Sequence, residues 1–162
     1  MKTLVLGLGN PLLGDDGVGW RVAQQVRDQI ADETAEVDFH AGGGLSLMER
    51  LVGYDRAIII DAINTQRAPQ GSVSCFALDD LPAEWRDAAS HLASAHETNL
   101  QTALIVGRQM DAVLPNKIVI VAIESQQVYD FTETLSPAVA NAMPQAVQFV
   151  LNQIDDKEGA NP

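Results

Sequence analysis

Apolar residues fall along this chain in two rhythms. Strand-length stretches at 3–8, 56–62 and 117–123, the second holding the apolar run Ile58-Ile59-Ile60 and the third Ile118-Val119-Ile120-Val121, read as strands buried on both faces. Shorter runs at 36–40 and 72–78 read as two further strands. Between the first two, Val18, Val22, Val26 and Ile30 recur at helical spacing while Arg21, Gln25, Arg27 and Asp28 take other faces, so 17–31 is predicted helical. The same spacing marks 45–52 through Leu47, Met48 and Leu51, and 137–154 through Val139, Met143, Ala146, Val147 and Val150. Residues 79–95, with Pro82, Trp85 and Arg86, follow neither rhythm and are expected to form a long connection with a short helix. Ser94-Ala95-His96-Glu97 has the form of a capping box, which predicts a helix from there to about Met110 with His96 in its first turn.

Strand and helix alternating from the start imply β-α-β units, hence an α/β sheet of mostly parallel strands with helices on both faces. The opening strand should lie between the second and third. Only 63–71, containing Pro69 and Gly71, joins the third strand to the fourth. That is too short for a crossover helix, so the fourth strand is predicted to run antiparallel.

With 162 residues and 46% hydrophobic content, the chain is expected to form one domain over 1–154 with a frayed tail at 155–162. A formal net charge of −12, from 22 acids against 10 lysines and arginines, sets a field that repels phosphate backbones and anionic lipid. Nucleic acid and membrane surfaces are therefore poor partners. Cys75, the single cysteine, can form no internal disulfide. The opening run starts directly after Met1-Lys2 with no leader pattern, so a reducing cytoplasm is expected. No apolar run reaches the roughly 20 residues that cross a bilayer.

The candidate chemistry lies where apolar strands end. In open α/β sheets, ligands collect outside the carboxyl ends of the strands at the point where the connection order reverses, here between the first and third strands. Asp15 and Asp16 follow the first, and Asp61 ends the run Ala57-Ile58-Ile59-Ile60. An acid so placed must be paired, hydrogen-bonded or metal-bound. Asp16 could instead cap the helix that follows it, and Asp61 could bind the loop amides of Asn64 and Thr65. His96 competes with His91; a helix start disfavours a second proton on the imidazole and so selects His96. Two carboxylates and one imidazole suit a divalent transition ion such as zinc or nickel and leave coordination positions open. No serine sits in a G-x-S-x-G turn, and Cys75 reads as a small core residue. Gly7-Leu8-Gly9-Asn10-Pro11-Leu12 begins like a dinucleotide fingerprint, but Leu12 and Pro11 break it.

The block Leu6-Gly7-Leu8-Gly9-Asn10 with Gly14-Asp15-Asp16-Gly17-Val18-Gly19, then Ile59-Ile60-Asp61-Ala62, then His96 before Glu97-Thr98-Asn99-Leu100, resembles the hydrogenase maturation endopeptidases. The resemblance extends over most of the chain. It implies a three-layer α/β/α sandwich with a five-stranded sheet in the order 2-1-3-5-4 and one antiparallel strand. It also implies an endopeptidase that removes the C-terminal extension of a nickel-iron hydrogenase large-subunit precursor once nickel is in place. The family's metal-binding and catalytic acid, acid and histidine fall on Asp16, Asp61 and His96. The nickel would arrive on the precursor, zinc or cadmium could stand in for it in crystals, and a cytoplasmic monomer is expected. Two departures stand out: some relatives carry Glu at the first metal position, and some carry an acid before the Gly-Gly that follows the second strand, where this chain has His40-Ala41-Gly42-Gly43-Gly44. Two rivals are a nickel-sensing chaperone with the same trio and no cleavage, and a peptidyl-tRNA hydrolase. The second shares Gly7-Leu8-Gly9-Asn10-Pro11 but lacks positive charge for RNA.

Overall fold

A computed structural model describes residues 1–31, 33–82, 99–126 and 131–156. Five strands, β1 (Thr3–Leu8), β2 (Glu36–His40), β3 (Arg56–Ile63), β4 (Val73–Ala77) and β5 (Lys117–Glu124), form one sheet in the order β2-β1-β3-β5-β4. All neighbours pair in parallel except β4, which runs antiparallel to β5 with Val73 opposite Ile123 and Ala77 opposite Val119. The short link with Pro69 and Gly71 is the reason, as the chain pattern predicts.

Helices α1 (Val18–Arg27), α2 (Gly44–Arg50), α3 (Leu100–Gln109) and α4 (Pro137–Asp155) cover both faces. Successive strand residues point to opposite faces, so the sheet divides its side chains between two cores. Leu4, Leu6, Leu8, Ala57, Ile59 and Ile63 pack with Leu47, Leu51, Leu100 and Leu104 of α2, α3 and their flanks. Val5, Ile58, Ile60 and Ala62 pack with Val18, Val22, Val139 and Val150 of α1 and α4. The result is the three-layer α/β/α arrangement. None of the described helices is long and apolar enough to cross a membrane.

Three boundaries differ from expectation. Helix α1 stops at Arg27 rather than near Ala31, and the amides of Gln29 and Ile30 turn back to the Val26 carbonyl. Helix α3 starts at Leu100, not at the Ser94 box: Asn99 has extended backbone angles and its side chain accepts from the Thr102 amide at 2.8 Å. Ser94, His91 and His96 lie outside the described residues. Asp155 closes α4, and the Asp156 carbonyl accepts from the buried Arg56 guanidinium at 3.0 Å, so these two residues are tied to the sheet rather than frayed.

Candidate active site

Gly9 has φ +113°, a conformation open to glycine, and a Cβ there would lie 1.8 Å from the Asp16 carbonyl oxygen. The strand end and the acidic turn can therefore lie against each other only because position 9 has no side chain. Gly19 makes the companion approach on α1, where a Cβ would meet the carbonyl oxygens of Leu8 at 2.4 Å and Ile60 at 2.5 Å. Together the two glycines bring the start of α1 down onto the ends of β1 and β3.

Asp15 and Asp16 lie in a 3-10 turn, Gly14–Gly17, and both are buried. The Asp15 carboxylate accepts the Ser136 amide at 2.6 Å, the Ser136 hydroxyl at 2.7 Å, the Ser125 hydroxyl at 3.2 Å and the Gln70 side-chain amide at 3.2 Å. It ties the turn to the end of β5, the β3–β4 link and the start of α4. Asp16 does something else: its Oδ2 accepts the Asn10 amide at 2.7 Å, which curls the loop after β1. It is not the cap of α1, since Gly17 holds that place and no side chain bonds there.

Asp61 is fully buried, at 0% exposed. It lies inside β3 rather than at its rim, because the strand continues to Ile63. The β1–β3 ladder reaches Gly7 opposite Ile60, and Asp61 is the next position, beside Ala122 of β5. It stands where β1 leaves the sheet, at the reversal point expected from the sequence. By strand parity it follows Ile59 and precedes Ile63 on the face covered by α2 and α3. Of the loop amides offered to it from sequence, that of Thr65 goes elsewhere. Thr65 N and Gln66 N donate instead to Glu124 Oε1 at 2.8 and 3.1 Å, and the Thr65 hydroxyl to Glu124 Oε2 at 2.8 Å.

Glu124, Gln70, Ser125 and Ser136 are site supports that the sequence reading missed. Glu124 alone carried a signal, as an acid closing an apolar strand in the manner of Asp61. His91 and His96 lie outside the described residues, so of the predicted trio the structure brings Asp16 and Asp61 to one end of the sheet. Among the described residues no three His, Cys, Asp or Glu side chains stand together as a metal site. Cys75 is half-buried on β4, and burial pushes its thiol pKa up, which suits a packing residue. His40 ends β2; its carbonyl accepts the Gly9 amide at 3.0 Å, and its Nε2 lies 3.1 Å from Ser46 Oγ.

A mostly parallel three-layer sheet with buried carboxylates at its reversal point has neither the P-loop nor the dinucleotide turn with which such sheets bind nucleotides. A profile of hydrogenase maturation proteases matches residues 18–153. The chain belongs to that family. A putative hydrogenase maturation protease from Methanocaldococcus jannaschii is 30% identical over 162 residues, covering 93% of this chain and 95% of that one. The hydrogenase 2 maturation protease of Escherichia coli strain K12 is 26% identical over 152 residues, covering 93% and 89%. Among solved structures, the hydrogenase maturating endopeptidase HybD from E. coli superposes with a TM-score of 0.75 at 26% identity, covering 96% of this chain and 93% of that one. Family membership removes the peptidyl-tRNA hydrolase rival.

Proposed function

We propose that this chain is the endopeptidase that trims the C-terminal extension from a nickel-iron hydrogenase large-subunit precursor, and that Asp16, Asp61 and His96 together sense the precursor's nickel. The observation that carries the reading is the placement of Asp61: a fully buried carboxylate at the reversal point of the sheet, at the end that also holds Asp16. Family membership supplies the reaction class. Two carboxylates and an imidazole offer hard and borderline ligands to a divalent ion that precursor thiolates already hold. A precursor without nickel gains no such contact, so it is not aligned for cleavage. His96 stands four residues before Leu100, whose side chain packs in the same core as Ile59 and Ile63 on either side of Asp61.

The test is processing of a nickel-loaded precursor followed by mass spectrometry. The wild-type chain shortens it, and a precursor without nickel stays whole. His96→Ala and Asp61→Asn each abolish shortening; Asn keeps the shape of the buried group, so loss of activity with retained thermal stability isolates its charge and ligand character. Normal processing by either variant would refute the trio, and an unshortened product with the wild-type chain would leave a nickel-sensing chaperone.

A further inference from the structure

Exposed large apolar side chains gather at both ends of the sheet. Val52, Met110 and Val113 are exposed at the amino end, ahead of β3 and β5, where the Gly53 amide donates to the Val113 carbonyl at 2.8 Å. Leu12, Leu45 and Phe131, 43%, 48% and 83% exposed, belong to the other end. They follow the carboxyl ends of β1, β2 and β5, the end that holds Asp16 and Asp61. One exposed leucine is ordinary, but three apolar residues on connections around a buried pair of carboxylates are not scattered.

Backbone hydrogen bonds hold two of them in place. Leu13 and Thr132 form a parallel bridge, the Thr132 amide donates to the Leu12 carbonyl at 2.9 Å, and the Gly14 amide donates to the Thr132 carbonyl at 2.7 Å. Leu12 and Phe131 are thus neighbours in register. The chain beyond is pinned as well: Arg21 donates to the Glu133 carbonyl at 2.8 Å and Ser136 N to Asp15 at 2.6 Å. Residues 9–14 carry no charged side chain in a chain of net charge −12, so the Leu12 segment itself is apolar.

We infer that Leu12, Leu45 and Phe131 form the seat for apolar side chains of the precursor polypeptide beside its scissile bond. The inference rests on the proteolytic reading above. A polypeptide cut at Asp16 and Asp61 must cross this rim to reach them, whereas a second copy of the chain would obstruct the site and meet its own negative field. Because the backbone clamps fix the seat beforehand, little order is lost when it is filled.

The experiment compares binding of nickel-loaded precursor by calorimetry to the wild-type chain, to Leu12→Ser/Phe131→Ser, and to Met110→Ser/Val113→Ser at the opposite end. The rim variant binds about tenfold or more weakly, the effect of losing apolar anchors at an interface, with thermal stability unchanged; the opposite-end variant binds as wild type. Unchanged affinity in the rim variant, or an equal loss in both variants, would overturn the inference. Mass measurement of the same mixtures reads cleavage separately: no shortening by the wild-type chain overturns the protease reading, while the affinities still decide whether the rim is a seat.

Discussion

The Asp15 carboxylate receives four hydrogen bonds from three distant segments, while its neighbour Asp16 receives the Asn10 amide of its own loop. The first fastens distant segments and the second shapes its own loop. Removing Asp15 leaves buried donors without an acceptor, and hydrogen bonds to charged groups are each worth about 1.5–3 kcal/mol. Asp15→Ala is therefore expected to lower stability by about 3–4 kcal/mol, measured by urea unfolding. A loss below about 1 kcal/mol would show that the serine and glutamine donors find other partners. That Asp16 and Asp61 are buried at one end of the sheet was legible in the sequence, because an acid beside an apolar run demands an explanation. Their supports were not: Ser136 reaches Asp15 across 121 positions and Glu124 reaches Thr65 across 59, distances over which local pattern carries no information. Only the fold decides which of several strand-end acids holds a loop.

At the scale of elements, β1, β3 and β5 stood out as runs of apolar residues, β2 and β4 as shorter mixed stretches, and the antiparallel β4 followed from the length of one link. The start of α3 did not. Ser94 with Glu97 and Asn99 with its own amide acceptor are both sound local caps, and the described helix uses Asn99. Helix α4 carries a different irregularity. Pro144 sits inside it and is exposed, so the Ala140 carbonyl receives no amide from four residues on. Pro144→Ala restores that bond and a better helix former, and is expected to raise stability by about 1–2 kcal/mol, read as an increase in the urea midpoint. A decrease would mean that rigidity of the unfolded chain at proline outweighs the helix.

The whole molecule is acidic, yet its edges are held by local ion pairs and hydrogen bonds. Lys2 lies over the Tyr54 ring at 4.3 Å and 3.4 Å from the Glu36 carboxylate. Burial first, and then the hydrogen bond to Glu36, push the Tyr54 pKa up from 10.0 to about 12. A group whose folded pKa exceeds its unfolded value adds stability that is complete below the unfolded value. The Tyr54 contribution is therefore flat up to about pH 10 and disappears as pH rises toward 12. Unfolding curves taken across that range should fall more steeply for the wild-type chain than for Tyr54→Phe. Parallel curves would remove Tyr54 from the account.

Neighbouring antiparallel strands need only about two residues to join them. Between β4 and β5 this chain places residues 78–116 instead, with α3 covering one core. The reversed strand thus relieves that stretch of any duty to carry the chain across the sheet. What the stretch must keep is the apolar face of α3, Leu100, Ala103 and Leu104, which closes one of the two cores, so the pairing of β4 with β5 and the sealing of that core make separate demands on the sequence.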